Sequence, residues 1–162
     1  MQIEIHSIMS IEKRSHKPFL PHTALISIGN FGSEPPALKY KPQHILRLTF
    51  DDIGIMEIDD ENYDSDVFHL FSMKQAKQIA DFVYRHQEDT AVWICQCHFG
   101  MSRSAAVAAA IKEHFEHNGI DIFADEQGRY CPNVYVFRET LKALNERRAA
   151  NQNAREHGFN EA

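Results

Sequence analysis

The segment that most restricts how this chain can fold is the run of residues 90–116. Residues 90–95 form a short apolar, partly β-branched run of the kind found in buried strands. Residues 104–116 are rich in alanine and have the spacing of a helix. Only a tight loop separates the two, so the local order is strand, loop, helix. This order predicts an α/β fold in which the loop lies at the carboxyl end of a strand, above the positive end of a helix dipole.

The loop itself has the composition of an anion-binding site. Gly100 permits a positive φ that lets successive amides turn inward, and Arg103 offers a planar fork that matches two phosphoryl oxygens. A cysteine attacks as a thiolate, which these amides, the Arg103 cation and a hydrogen bond from Ser104 would stabilise. We therefore predict a nucleophilic Cys97 followed by a phosphate-binding loop, whose residues are His98, Phe99, Gly100, Met101, Ser102 and Arg103.

The loop resembles the signature of the cysteine-dependent protein tyrosine phosphatases, in particular their small dual-specificity-like branch. Residues 44–52 are similar to the strand and aspartate that precede the general-acid loop of that family, and Cys131-Pro132-Asn133 resembles the Pro-Asn opening of a late helix. Two departures are Gln96, where most members carry histidine, and Phe99, where a smaller residue is common. The resemblance covers most of residues 22–145 and implies the phosphatase fold and activity.

The expected reaction is hydrolysis of a phosphate monoester in two steps. Cys97 attacks phosphorus to form a phosphocysteine, which water then hydrolyses. One carboxylic acid can protonate the leaving oxygen in the first step and activate water in the second. Asp52 follows the strand of residues 45–50 and begins a loop, and the resemblance implies that it is the acid, because it matches the pattern of the family better than Asp51, the close second. We expect Ser104 to stabilise the thiolate as it leaves phosphorus.

The expected substrate is a phosphorylated protein, with phosphotyrosine favoured by the resemblance, or a small phosphate monoester. A loop for inositol lipids would carry added lysines, whereas here only His98 accompanies Arg103, so lipid phosphates are a minor option. A pseudophosphatase that binds phosphorylated partners without hydrolysis stays open, because Gln96 leaves room for low activity. A rhodanese-type sulfurtransferase is disfavoured by Ser104 directly after Arg103.

The predicted chemistry needs no cofactor and no metal. Arg103 and the loop amides already neutralise the transferring group. The sequence has no matched pair of Cys-x2-Cys motifs and no His-Glu-x2-His motif. Its ten histidines are scattered, and we expect most of them to be exposed or hydrogen-bonded.

Length and composition predict one domain. The chain has 162 residues, 43% of them hydrophobic, which suffices for one core and is too short for two. We expect a catalytic domain at residues 1–147 and a polar tail at residues 148–162.

The net charge of −6 argues against nucleic acid or an anionic membrane as partner. We expect a cytoplasmic location. The three cysteines have no framework spacing, and the sequence shows neither a leader nor a long apolar run.

Two hypotheses concern the surroundings of the loop. Residues 57–66 carry six carboxylates in ten residues, and form either a solvated excursion or a lid that repels acidic substrates. Cys95 is expected in the core, and either it or Cys131 could trap oxidised Cys97 as a disulfide.

The remaining elements predict a central sheet of four or five strands, largely parallel, with helices on both faces. Strands are expected at residues 3–8, 24–28 and 45–50. Helices are expected at residues 73–86, with Ser72 as N-cap, and from Asn133 onward. We expect the turn at residues 29–32 to border the site, and Asn118-Gly119 to close the alanine-rich helix.

Overall fold

The computed structural model describes residues 1–54 and 68–158. The acidic segment at residues 57–66, the possible lid, therefore lies outside the described residues. In chain order the elements are β1 (Gln2–Ser7), α1 (Ile8–Arg14), β2 (Thr23–Gly29), β3 (His44–Thr49), α2 (Met73–His86), β4 (Val92–Cys97), α3 (Arg103–Glu116), α4 (Ile120–Phe123) and α5 (Val134–Gly158).

The strands form one four-stranded sheet in the order β1-β4-β2-β3, and each neighbouring pair is parallel. The prediction of an α/β fold with a four- to five-stranded, largely parallel sheet is confirmed. Because all four strands run the same way, their carboxyl ends meet at one edge. The loop after β4 lies at that edge, which is where open α/β sheets bind ligands.

The two faces of the sheet carry unequal layers. Ile26 and its neighbours on one face of β2 pack in the larger core with α2, α3 and α5. The preceding residue, Leu25, points to the other face and joins a smaller core with Ile11 of α1. Phe19 and Leu38, from the segments on either side of β2, pack against this smaller core. Helices thus lie on both faces, as predicted, but α1 is short and covers its face together with irregular chain.

The alanine run explains how α3 fits against the sheet. Residues 105–110 are completely buried, and their small side chains allow close packing of the helix on β4 and β1. The helix ends at Glu116, and His117 takes the left-handed conformation that terminates it, with φ at 56°. The expected Asn118-Gly119 terminus was therefore placed slightly too late.

α1 follows β1 without a break and has no counterpart among the helices predicted from the sequence. The Ser7 hydroxyl caps the helix by accepting a hydrogen bond from the Ser10 N–H at 3.1 Å. The helix buries only Ile11, so it lacks the periodic apolar face by which helices are recognised in sequence. Its position matters because the first N–H of the helix, from Ile8, reaches the loop after β4.

Two other helices agree with the sequence. α2 begins at Met73 and ends at His86, and Ser72 forms a capping box with Gln75. α5 begins directly after Asn133 and continues past residue 147 to Gly158. No helix in the described ranges is long and apolar enough to cross a membrane.

Candidate active site

The loop after β4 is held in place through its carbonyl groups. The Ile8 N–H donates to the His98 carbonyl at 3.1 Å, and the Cys131 N–H donates to the Met101 carbonyl at 3.0 Å. Four consecutive backbone N–H groups of the loop donate to no described residue: those of Phe99, Gly100, Met101 and Ser102. The loop is therefore fixed by two distant segments while its amides remain available to an anion.

Gly100 is required at its position for two independent reasons. Its φ is +71°, in the left-handed region that residues with a side chain avoid. A Cβ placed there would also lie 2.5 Å from the Ser7 nitrogen and 2.7 Å from the His6 carbonyl carbon. The end of β1 thus packs directly against the backbone of the loop.

Cys97 lies at the bottom of the loop, and its thiol has a hydroxyl partner. Its Sγ is 3.0 Å from Ser104 Oγ, and Ser104 is completely buried at the start of α3. Cys95, two residues earlier on β4, is buried in the core as predicted. Burial, followed by the proximity of Cys97, raises the pKa of the Cys95 thiol well above its usual range. Cys95 therefore stays a thiol, whereas Cys97 faces the loop.

Arg103 is oriented by its own protein contacts before any ligand arrives. The residue is only 4% exposed, and its Nη1 donates to Asn30 Oδ1 and to the Phe50 carbonyl, both at 2.7 Å. Its buried Nε has no hydrogen-bond partner in the described part of the chain. An unpaired buried N–H costs roughly 1–3 kcal/mol, and more on a charged group, so this nitrogen strongly favours an incoming anionic oxygen.

The two candidate acids have different surroundings. Asp52 Oδ1 accepts hydrogen bonds from Ser102 Oγ at 2.8 Å and from Asn133 Nδ2 at 2.9 Å. By contrast, Asp51 Oδ2 accepts the backbone N–H of His69 at 2.9 Å, and the Asp51 N–H donates to the His69 carbonyl at 2.7 Å. Asp52 faces the loop, whereas Asp51 joins two segments of the chain.

A separate contact brings the Asp52 carboxylate close to the Arg103 guanidinium. Asp52 Oδ2 lies 3.8 Å from the unpaired Arg103 Nε. The Asp52 side chain is 36% exposed, so it stands at the mouth of the loop between the cation and solvent. A carboxyl group in this position can reach the leaving oxygen of a monoester whose phosphoryl group is bound by Arg103.

Asn133 combines a capping role with a contact to the segment of Asp52. Its Oδ1 accepts the Val136 N–H at 3.1 Å and so caps α5, as expected from its position. Its Nδ2 also donates to Asp52 Oδ1 at 2.9 Å and to the Ile53 carbonyl at 3.0 Å. Asn133 therefore positions the segment that carries Asp52, a contact between residues 81 apart that no local pattern reveals.

Gln96 occupies the position before Cys97 without introducing a charge. It is 1% exposed, and its Oε1 accepts from Ser27 Oγ at 2.7 Å. Its Nε2 donates to the Cys97 carbonyl at 2.8 Å. The side chain thus links β2 to the backbone of Cys97. It supports the position of Cys97 through neutral hydrogen bonds.

A cleft of about 530 Å³ opens above the loop. The residues that line it come from five segments: Asn30, Phe31, Asp51, Asp52, Ile53, Phe68, His69, His98, Phe99 and Arg103. Its rim is aromatic, since Phe99 is 74% and Phe31 60% exposed. The Phe31 ring stacks on His69 with the ring centroids 3.5 Å apart. The turn at residues 29–32 therefore borders this cleft.

The chain matches no family model and no curated protein by sequence. By fold it is similar to human DUSP28, with a TM-score of 0.55 and 14% identity over 91% of this chain and 94% of that chain. The structure of PTPMT1 in complex with PI(5)P gives a TM-score of 0.58 and 10% identity over 93% and 94%.

A third similar structure is the human tyrosine phosphatase-like serine/threonine/tyrosine-interacting protein. Its TM-score is 0.52 and its identity 17%, over 93% of each chain. Because the similarity extends over nearly the whole chain in all three cases, it concerns the entire arrangement of sheet and helices. The chain has the fold of the tyrosine and dual-specificity phosphatases.

Proposed function

We propose that the chain is a cysteine-dependent phosphate monoester hydrolase, of the protein tyrosine or dual-specificity type. One observation carries the proposal: Asp52 and Arg103 line the same cleft, and Cys97 lies directly before the loop that leads to Arg103, although the three belong to different elements. A nucleophile, an anchored cation with a free N–H, and a carboxyl group are the three functions that this hydrolysis needs.

The first step transfers the phosphoryl group to sulfur. The loop amides and Arg103 Nε bind the phosphoryl oxygens, while the contacts of Nη1 to Asn30 and Phe50 keep the guanidinium in place. Cys97 Sγ forms a bond to phosphorus as the bond from phosphorus to the ester oxygen breaks. Asp52 gives its proton to that oxygen, so the leaving group departs as a neutral alcohol or phenol.

The second step regenerates the free enzyme. A water molecule attacks the phosphorus of the phosphocysteine, and the Asp52 carboxylate takes the proton of that water. The sulfur leaves as a thiolate, to which Ser104 Oγ can donate a hydrogen bond from its position 3.0 Å away. Ser104 is therefore proposed to assist this step most.

The lining of the cleft supports a phosphorylated protein as substrate, and phosphotyrosine in particular. The exposed rings of Phe31 and Phe99 offer an apolar surface to an aromatic leaving group. Arg103 is the only lysine or arginine among the described lining residues, which disfavours inositol lipids with several phosphates. A small phosphate monoester is the second class of substrate that the cleft can accept.

Hydrolysis of para-nitrophenyl phosphate tests the proposal, with reductant, without added metal, and over about pH 5 to 8. Cys97→Ser should abolish turnover, and Asp52→Asn should reduce it and alter the pH profile. If both variants kept the activity of the wild type, the mechanism would be refuted. A folded wild-type protein that binds vanadate without turnover would instead support the phospho-binding alternative, and cyanolysis of thiosulfate would reveal a sulfurtransferase.

We further propose that the catalytic unit comprises residues 1–147 and that it acts in the cytoplasm. The helical residues beyond 147 contribute contacts of their own, since Arg148 Nη2 donates to the His114 carbonyl. Activity of a chain that ends at residue 147 would test the boundary. Fractionation of cells that express the full chain would test the location.

A further inference from the structure

A cluster of metal-ligating side chains lies at the edge of the sheet opposite the catalytic loop. His44 is the first residue of β3, His86 is the last residue of α2, and Asp89 lies in the turn that leads to β4. One ligand atom from each residue lies within 4.8 Å of the other two. The strands are six residues long, so this cluster is roughly 17–20 Å from the catalytic edge.

The two carboxylate oxygens of Asp89 face the two imidazoles separately. His44 Nε2 is 2.9 Å from Asp89 Oδ2, and His86 Nδ1 is 3.9 Å from Asp89 Oδ1. The imidazole rings stack on each other with centroids 3.8 Å apart and planes inclined by 22°. The histidine side chains are mostly buried, at 19% and 18% exposed, whereas Asp89 is open to solvent at 45%.

The turn that carries Asp89 is held independently of these contacts. His22 Nδ1 is 2.9 Å from the Asp89 carbonyl oxygen, and the Asp89 N–H donates to the His86 carbonyl at 3.2 Å. Phe82 packs edge-on against the His86 ring at 5.0 Å between centroids. The backbone of the turn is thus held by contacts that do not use the Asp89 carboxylate, which leaves both of its oxygens to face the imidazoles.

The donor set, two imidazole nitrogens and one carboxylate, selects the class of ion. Mg²⁺ and Ca²⁺ prefer oxygen ligands alone, whereas imidazole suits Zn²⁺ and its neighbours among the transition metals. Zn²⁺ lies about 2.0–2.1 Å from such ligands, so its tetrahedral donors are about 3.3 Å apart. The distances of 2.9 and 3.9 Å, each to a different oxygen of Asp89, place both imidazoles beside the carboxylate at separations of this order. Three protein ligands leave a fourth position for water from the open Asp89 side.

We propose that His44, His86 and Asp89 form a Zn²⁺ site that joins β3, α2 and the turn before β4. The imidazoles bind as neutral groups: each gives the lone pair of one nitrogen to the ion and keeps its proton on the other. The pair of imidazoles must rotate out of its stack so that both nitrogens point at the same position. The ion stabilises the fold by binding the native state alone, and it takes no part in the proposed hydrolysis.

Calorimetric titration with Zn²⁺ tests the site, in a full chain that carries Cys97→Ser and Cys131→Ser. These changes remove the loop thiol and the exposed thiol, which would bind zinc themselves. We expect one Zn²⁺ per chain, no competition from excess Mg²⁺, and a rise in Tm of about 5 °C or more when zinc is far above its Kd. No binding of Zn²⁺ by this protein would overturn the proposal.

Single substitutions assign the ligands. His44→Gln, His86→Gln and Asp89→Asn should each weaken zinc binding by about tenfold or more, because each removes one of three ligands. His16→Gln, at an exposed histidine far from the cluster in the chain, is the matched control and should not weaken it. Equal affinity in the control and in all three variants would place the ion elsewhere and refute the site.

A further variant, measured by absorption spectroscopy, tests the site even if these substitutions disturb the fold. In the same background, His44→Cys replaces the imidazole with a thiolate. Co²⁺ bound at this site should then show a thiolate-to-metal charge-transfer absorption that the parent protein lacks. A His44→Cys protein that binds Co²⁺ without this band would show that position 44 is not a ligand.

Discussion

The floor and the rim of the cleft differ in how completely the protein surrounds them. On the floor, Cys97, Arg103 and Ser104 are at most 4% exposed and are held by hydrogen bonds within the protein. On the rim, Phe31 and Phe99 are 60% and 74% exposed. Folding itself orients the floor, whereas the two rings of the rim keep most of their surface open to solvent.

This difference separates two properties of the proposed enzyme. Groups on the floor meet the phosphoryl group, which is common to every monoester, so changes there should lower kcat for all substrates alike. Groups on the rim meet the leaving group, so changes there should affect some substrates and not others. Asp52, 36% exposed and bonded to Ser102, lies between the two regions.

The largest effect is expected for Arg103→Lys. Lysine keeps the charge but cannot both bond Asn30 and offer a second N–H in a fixed plane, so kcat should fall by about 10³-fold. The loss should be the same for para-nitrophenyl phosphate and for a phosphotyrosine peptide. Arg129→Lys, at an exposed arginine paired with Asp125, is the control and should leave kcat unchanged. A loss that depends on the substrate would break the separation of floor and rim.

The second largest effect is expected for Asp52→Asn. The amide can still accept hydrogen bonds from Ser102, but it has no proton to give, so kcat for a phosphotyrosine peptide should fall by about 10²-fold. Asp51→Asn keeps the oxygen that accepts the His69 N–H and should change kcat by less than about threefold. Steady-state kinetics of both variants show which of the two aspartates is the general acid. A greater loss of kcat in Asp51→Asn than in Asp52→Asn would assign that role to Asp51.

The sequence reveals the floor well because its residues are adjacent. The spacing of Cys97, Gly100, Arg103 and Ser104 sets the order of nucleophile, turn, cation and hydroxyl within eight residues. The strand before it and the helix after it have clear periodic patterns, which also predict the parallel α/β sheet.

The supporting contacts could not be predicted because they join residues that are distant in sequence. Asn30 and Arg103 are 73 residues apart, and Asn133 and Asp52 are 81 apart. An asparagine at a turn or helix start is explained locally by its backbone role, so nothing in the sequence shows what its amide contacts.

The residues of the proposed zinc site could not be brought together from the sequence for the same reason. His44 and Asp89 are 45 residues apart and belong to no recognised spacing motif. They meet because the strands are parallel, so the start of β3 and the turn before β4 lie at the same edge of the sheet. Only the three-dimensional order of the strands brings these apparently scattered side chains together.

A smaller effect, still on the floor, is expected for Ser104→Ala. One hydrogen bond to a leaving thiolate is worth about 1.5–3 kcal/mol, so turnover should fall by about 10- to 100-fold. The loss should lie in the second step, and a burst of para-nitrophenol should precede the slow steady state in rapid-mixing experiments. Ser102→Ala, which removes a partner of Asp52, should slow the reaction without such a burst. A burst in both variants would show that the two hydroxyls do not act on different steps of the reaction.

The smallest effect is expected at the rim, for Phe99→Ala. Covering about 40 Å² of this exposed ring with a tyrosyl leaving group would stabilise binding by about 1 kcal/mol, so KM for a phosphotyrosine peptide should rise about fivefold. The kcat for para-nitrophenyl phosphate should not change, because the substitution leaves the Phe99 amide in the loop. Leu20→Ala, at another exposed apolar residue, controls for a general loss of surface contacts. If Phe99→Ala instead lowers kcat for every substrate, the ring supports the loop from above, and the rim belongs to the catalytic floor.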